Sequence, residues 1–160
     1  MKLKSHKGFT LIELLVVVAI IGILASVVLA ALGSARGKAV GAKIQGQLSQ
    51  MRAQAEIYYS TNLHYGATTT SCGAGMFSTA VASDGLKELV EQVDKDNGGN
   101  GTTFSKIDCE SDGTTNGNKW AVAANLGASS TTIWCVDSNG ASMKSAQTTL
   151  AAAVASGDCS

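Results

Sequence analysis

The chain has 160 residues, of which 12 are Lys or Arg and 12 are Asp or Glu, so its formal net charge is zero. This length accommodates one compact domain with an appendage and argues against a multidomain enzyme, because domains usually contain about 100 to 150 residues. No basic patch of the kind that binds nucleic acid is evident, so nucleic acid is not expected as a direct ligand.

The N-terminal segment combines a short basic stretch with a long apolar run. Lys2, Lys4 and Lys7 precede residues 9–32, whose clearly polar members are Thr10, Glu13 and Ser26. As a helix, these 24 residues span about 36 Å, which is enough to cross a bilayer. Because flanking lysines tend to stay in the cytoplasm, we predict one transmembrane segment at 9–32 with the remaining chain outside the cytoplasm.

The apolar run continues into a second helical segment. Residues 9–62 contain no proline, and apolar side chains recur at helical spacing at Val40, Ile44, Leu48, Met51, Ala55 and Tyr58. We predict one helix over 9–62, about 80 Å long. Its first half is apolar on all sides, whereas its second half is amphipathic and needs a partner to cover one stripe, which the rest of the chain supplies.

Several glycines interrupt this predicted helix, although each costs about 1 kcal/mol relative to alanine. Gly33, Gly37 and Gly41 recur every four residues and therefore share one face, and Gly22 lies within the apolar half. Two interpretations stay open. The glycines either let neighbouring helices approach closely or permit local unwinding.

Basic residues follow the apolar run, and acidic residues prevail in the remaining chain. Arg36, Lys38, Lys43 and Arg52 stand against the single acid Glu56, whereas five lysines face ten acids from Leu63 onward. The segregation is either ordinary surface charge or a basis for attraction between subunits.

Residues 63–160, here called the head, are rich in Gly, Ser, Thr and Asn. We predict a helix capped by Ser83 or Asp84 and ended by the glycine-rich residues 97–101. Residues 119–126 and 131–136 are predicted strands, followed by a turn at Asn139-Gly140. The expected result is a small antiparallel sheet that ends near Lys144.

The head also contains all four cysteines, Cys72, Cys109, Cys135 and Cys159. In an exported domain these are expected to form two disulfides, for which three pairings exist. We predict Cys72 with Cys109 and Cys135 with Cys159, because the second bond ties the C-terminal segment to a predicted strand.

The most specific motif is the segment from Lys7 to Gly22, KGFTLIELLVVVAIIG. Its short basic leader, its Gly8-Phe9 junction and the lone Glu13 within an apolar helix resemble the processing site of bacterial type IV prepilins and of type II secretion pseudopilins. An ordinary secretory signal is a poorer match, because the apolar run is too long and the leader too short.

The resemblance implies that prepilin peptidase removes residues 1–8 between Gly8 and Phe9 and methylates the new amine of Phe9. It also implies assembly into a helical filament by a platform in the inner membrane, with Glu13 meeting the N-terminal amine of a neighbouring subunit. A contact of Glu13 with its own terminus or with Thr10 is the alternative. Many family members carry a proline in the apolar helix, and this chain has none. The resemblance implies that any local unwinding in a filament would lie between Gly22 and Gly33, and a straight helix is the alternative.

Other sites have weak sequence support. The oxygens of Asp112, Asn116 and Asn118, or of Asp137 and Asn139, offer calcium ligands, but they lack EF-hand spacing and turn formation explains them more simply. No cofactor is expected, and no catalytic order of Ser, His and Asp is present.

The sequence therefore predicts an α+β, pilin-like fold, in which a long N-terminal helix packs on a small antiparallel sheet. The predicted function is structural, as a type IV pilus subunit and not an enzyme, inserted in the cytoplasmic membrane before assembly and extracellular in the filament. A pseudopilin or a minor pilin is the alternative within the same machinery, and a non-polymerising membrane-anchored adhesin or binding protein is the alternative from another class.

Overall fold

The computed structural model describes residues 8–66, 71–78, 86–112 and 118–160. The chain forms three α-helices and four strands in these ranges, in the order α1 (Leu11–Asn62), α2 (Lys87–Asp96), β1 (Ile107–Ser111), β2 (Trp120–Asn125), β3 (Ile133–Asp137), β4 (Ser142–Lys144) and α3 (Leu150–Ala153). The chain divides into two compact units, residues 1–38 and residues 39–160.

In the first unit, helix α1 is apolar and its described residues are exposed on every side. The sequence between Gly22 and Gly33 is helical throughout, so the single subunit shows no unwinding there. Among the described residues, α1 is the one helix long and apolar enough to cross a membrane. No described residue of the first unit packs over this segment, so its apolar surface is available to lipid or to other helices.

In the second unit, the remaining part of α1 buries one stripe against the rest of the fold. Its buried residues are Gly41, Ile44, Gln47, Leu48, Met51, Ala55 and Tyr58. They share a core with α2 and with strand residues that include Trp120, Val122 and Val136. The predicted amphipathic stripe is therefore confirmed, except that Val40 is only partly buried and the polar Gln47 joins it.

The sheet is antiparallel in the order β1-β2-β3-β4. Cys109 of β1 lies opposite Val122, and Val136 of β3 lies opposite both Val122 and Ser142. One face packs on α1 and α2, and the other face contributes Ala121, Ala123 and Cys135 to a smaller core with α3. The predicted α+β fold, with a long helix and a small antiparallel sheet, is confirmed.

The turn between β3 and β4 is built by its own side chains. The carboxylate of Asp137 accepts hydrogen bonds from the backbone N–H groups of Asn139 and Ala141, at 3.0 and 2.8 Å. Gly140 has a φ of +99°, whereas Asn139 does not adopt a positive φ. The predicted turn is thus present, but Gly140 alone uses the left-handed region.

Helix α2 begins at Lys87, and its N-terminal boundary residue Leu86 provides no side-chain cap. The predicted caps Ser83 and Asp84 lie outside the described residues. At the other end, the buried Asp94 accepts hydrogen bonds from the N–H groups of Gly101 and Lys106, both at 2.9 Å. This buried carboxylate is satisfied by the loop that follows the helix, as a buried charge requires.

Two disulfides hold the head together. Cys72 bonds to Cys109 of β1, and Cys135 of β3 bonds to Cys159. This pairing matches the one given in the sequence analysis. The second bond places the C-terminal residues beside the sheet, where Ser160 donates through its backbone N–H to the carbonyl of Ala153 at 3.2 Å.

Candidate processing and assembly site

The junction between Gly8 and Phe9 precedes the first residue of α1 and has no regular structure. The Phe9 side chain is 90% exposed. A Cβ added to Gly8 would meet no described atom within 4 Å. The described part of the fold therefore gives no steric reason for glycine at position 8.

Thr10 and Glu13 form a reciprocal contact at the start of α1. The Thr10 backbone N–H and hydroxyl both donate to Oε2 of Glu13, at 2.8 and 2.9 Å. In return, the Glu13 N–H donates to the Thr10 hydroxyl at 3.2 Å. This is a capping box, in which the N-cap Thr and the Glu three residues later satisfy N–H groups that the helix leaves unpaired.

The capping box is the intramolecular alternative that the sequence left open for Glu13. It occupies Oε2, while Oε1 of Glu13 makes no hydrogen bond to a described residue. A carboxylate offers about four acceptor positions, so Glu13 can cap its own helix and still accept a hydrogen bond from an external amine. The T-x-x-E spacing was visible in the sequence but was not identified there as a capping box.

The glycines of α1 have two different environments. A Cβ at Gly22, Gly33 or Gly37 would meet nothing within 4 Å. At Gly41 it would lie 3.5 Å from the carbonyl oxygen of Leu126 and 3.6 Å from the Leu126 Cβ. Gly41 thus lies against Leu126 of its own chain. Of the three glycines predicted to share one face of α1, only Gly33 and Gly37 are open to other helices.

The cations of α1 also separate into two groups. Lys43 pairs with Asp96 of α2 at 2.8 Å, and Arg52 donates to the backbone carbonyls of Asp137 and Ala141. Burial acts to raise the pKa of Asp96, but hydrogen bonds from Lys43, Gln47 and Gln92 lower it below its ordinary value. Both contacts lie within the second unit, where they join its part of α1 to α2 and to the turn after β3, so both cations are occupied within the chain.

Arg36 and Lys38 form the other group. Both are exposed, and neither makes an ion pair or hydrogen bond with any residue in the described ranges. No acidic residue occurs between Glu13 and Glu56, so α1 offers these cations no partner one helical turn away.

The two carboxylates considered for calcium accept hydrogen bonds from backbone N–H groups. Asp112 accepts from the N–H of Asn118 at 2.9 Å, and Asp137 accepts from Asn139, Ala141 and Cys159. Asn116 lies outside the described residues. Within the described ranges, no group of three or more His, Cys, Asp or Glu side chains is arranged to hold a metal ion.

The comparisons with known proteins found one match. A family model described as the prokaryotic N-terminal methylation motif matches residues 3–29. This motif is the prepilin-type signal of type IV pilins and pseudopilins, so the resemblance noted from the sequence is confirmed for this segment. Neither the curated proteins nor the solved structures yielded a match to the chain.

Proposed function

We propose that this chain is a structural subunit of a type IV pilus, cleaved between Gly8 and Phe9 and polymerised through the first half of α1. In this proposal, residues 1–8 are a leader, residues 9–62 form the assembly helix with 9–32 in the membrane, and residues 63–160 are the head. The motif matched at residues 3–29 supports processing by prepilin peptidase.

The observation that carries the proposal is the exposed apolar surface of α1 in the first unit. Large apolar side chains from Phe9 to Leu32 are between 47% and 90% exposed. A surface of this kind is not stable in water and marks contact with lipid or with protein. Lipid before assembly and the helices of other subunits afterwards both provide that contact.

The geometry of the N-terminus suits both processing and assembly. The exposed Gly8-Phe9 bond precedes the helix, where an enzyme can reach it without unwinding α1. After cleavage, the amine of Phe9 becomes a cation in an apolar environment. A neighbouring Glu13 is the acid that the apolar segment offers to it, and a buried charge without a partner is unfavourable.

Processing is tested by mass spectrometry of the subunit isolated from its host. We expect Phe9 at the N-terminus with one methyl group on its amine. Gly8→Leu is expected to leave the uncut chain in the membrane, whereas Gly33→Leu, which also projects into open space but lies outside the matched motif, is cleaved normally. An intact Met1 leader in assembled wild-type material would contradict the proposal.

Polymerisation is tested by electron microscopy of material sheared from cells. Thin filaments that contain the processed chain are the expected result. A chain that is cleaved and membrane-bound, yet never found in filaments when expressed with its own assembly machinery, would instead support a membrane-anchored adhesin or binding protein.

A further inference from the structure

Arg36 and Lys38 lie immediately beyond the apolar segment of α1. On a helix that rises 1.5 Å per residue, their Cα atoms are about 6 and 9 Å past Leu32. The polar headgroup layer of a bilayer is about 5 to 7 Å thick on each side of a hydrocarbon core of about 30 Å. When residues 9–32 span that core, Arg36 lies in the headgroup layer, and Lys38 reaches it along its flexible side chain.

The residues around these cations leave them accessible. Gly33 and Gly37 adjoin them in sequence, and both glycines face open space within the described structure. Ser34 and Ala35 are also small and exposed. Because Arg36 and Lys38 are themselves exposed, a headgroup phosphate can reach the guanidinium and ammonium groups.

The other charged residues of the chain mostly have partners within it, which favours lipid over a neighbouring subunit as the partner of Arg36 and Lys38. Lys43 and Arg52 already bind within the chain. Among the described side-chain carboxylates after Asn62, only Glu88 has no hydrogen bond or ion pair with a described residue. The carboxylates that have such a partner are Glu91, Asp94, Asp96, Asp108, Glu110, Asp112, Asp137 and Asp158. Most described acids of a second copy thus already have a partner within their own chain, whereas the phosphates of an anionic bilayer form a continuous layer at the depth of Arg36 and Lys38.

We infer that Arg36 and Lys38 form a binding site for the phosphate of anionic phospholipid headgroups while the subunit is inserted in the membrane. Arginine suits phosphate because its planar group donates two parallel hydrogen bonds, and lysine adds a point charge. The inference rests on the proposed membrane insertion of residues 9–32. It adds a lipid preference that insertion alone does not require.

The experiment uses the processed chain, residues 9–160, because Lys2, Lys4 and Lys7 of the leader would also attract anionic lipid at the opposite membrane surface. This chain is reconstituted into phosphatidylcholine bilayers that contain a trace of spin-labelled lipid. The fraction of motionally restricted spin label measures how strongly each lipid associates with the protein. At low ionic strength, phosphatidylglycerol is expected to associate about 5-fold to 25-fold more strongly than phosphatidylcholine, since each surface cation contributes about 5-fold. The preference is expected to fall steeply as NaCl is raised to 1 M, because salt screens the charges.

Matched variants identify the residues responsible. Arg36→Gln/Lys38→Gln is expected to abolish the preference, and the charge-conserving exchange Arg36→Lys/Lys38→Arg is expected to keep most of it. Lys106→Gln/Lys144→Gln removes the same number of charges from the head and is expected to leave the preference unchanged.

Two outcomes would overturn the inference. Equal association of the two lipids with the wild type is one. The other is an unchanged lipid preference in Arg36→Gln/Lys38→Gln. If that variant also gave a lower filament yield in cells, the two cations would be assigned to subunit contacts. Failure of the wild type to remain in the vesicles after alkaline carbonate extraction would instead contradict the proposed membrane insertion.

Discussion

Glu13 makes two contacts that substitutions can separate, the capping contact with Thr10 and the proposed contact with a neighbouring amine. Glu13→Gln keeps an acceptor oxygen for the Thr10 N–H and hydroxyl but removes the negative charge. Thr10→Val removes the hydroxyl and keeps the charge. Glu13→Gln is therefore expected to be inserted and cleaved normally and to assemble poorly, while Thr10→Val assembles to a level close to that of the wild type.

The measurement is the ratio of sheared filament to membrane-pool subunit for each variant. Coulomb attraction between unit charges 4 Å apart is about 4 kcal/mol at an effective dielectric constant of 20, before desolvation is subtracted. A smaller net value still favours docking of the charged subunit. If Thr10→Val impaired assembly and Glu13→Gln did not, helix capping and not charge would be the role of this pair.

Tyr65 has a hydroxyl that donates to Glu56 at 2.9 Å. Burial, and then this contact with the carboxylate, raises the pKa of Tyr65 to about 12. The folded state therefore favours the neutral phenol of Tyr65, which adds to the free energy of unfolding. This contribution is fully present below a pH of about 10, the ordinary tyrosine pKa, and is lost as the pH rises through 12.

An alkaline titration followed by tyrosinate absorbance tests this contribution in the detergent-solubilised chain. One of the three tyrosines is expected to ionise last, and Tyr65→Phe should remove that final step. Glu56→Gln is expected to lower the pKa of Tyr65, since it removes the negative acceptor. A final step that persists in Tyr65→Phe would refute the assignment.

At the scale of elements, the packing of α1 on the sheet should dominate the stability of the second unit. Leu48 is fully buried in the core that α1 shares with the strands. Leu48→Ala is expected to lower the free energy of unfolding by about 2 to 5 kcal/mol through lost burial and a residual cavity. Gln50→Ala, on the exposed side of the same helix turn, should change it by less than about 0.5 kcal/mol.

Urea unfolding followed by tryptophan fluorescence provides the measurement, because Trp120 is buried in the same core. Equal unfolding midpoints for the two variants would mean that α1 does not stabilise the sheet.

The disulfides connect elements that are distant in sequence. A peptide map under non-reducing conditions should recover Cys72 joined to Cys109 and Cys135 joined to Cys159. The second bond closes a loop with a sequence separation of 24 residues, for which chain-entropy arguments give a stabilisation of about 3 to 4 kcal/mol. Cys72 joined to Cys159 would contradict this prediction.

Elements with a strong local pattern could be predicted, and elements that depend on distant partners could not. The 3.6-residue spacing from Ile44 to Tyr58 identified the buried stripe of α1. Strand β1 was missed, because its acidic residues Asp108 and Glu110 are uncommon in strands, and pairing with β2 and burial in the core stabilise it. Gly41 was grouped with Gly33 and Gly37 by spacing alone, since the position of Leu126 is a property of the folded chain.

The same distinction holds within the candidate site. Gly8, Phe9 and Glu13 lie within six consecutive residues, so the sequence motif alone was enough to identify them as candidate site residues. The separation of the cations into occupied and free pairs depended on α2 and on the turn after β3, which the sequence could not place against α1.

At the scale of the whole molecule, the proposed removal of residues 1–8 would change the net charge. Cleavage after Gly8 removes Lys2, Lys4 and Lys7, which leaves nine basic and twelve acidic side chains, or a formal charge of −3. Methylation of the Phe9 amine retains its positive charge. The processed chain is therefore expected to focus at a lower pH than the precursor, whose sequence pI is about 6.7.

Isoelectric focusing in denaturing conditions compares the two forms directly. Gly8→Leu, which is expected to stay uncut, provides the precursor position. A processed subunit that focuses with the precursor would mean that the three lysines are retained.

The two disulfides also limit how far the chain extends when it is pulled from its ends. Cys72 and Cys109 are separated by 37 residues, and Cys135 and Cys159 by 24. At about 3.4 Å per residue, the segments closed by these disulfides have extended lengths of roughly 130 and 80 Å, and a pulled chain cannot gain that length while the bonds are intact. Because α1 ends at Asn62, before the first of these cysteines, neither loop includes any part of that helix. An oxidised head that loses its fold under load therefore lengthens by a limited amount, and its covalent loops keep most of its sequence together for refolding once the load is released.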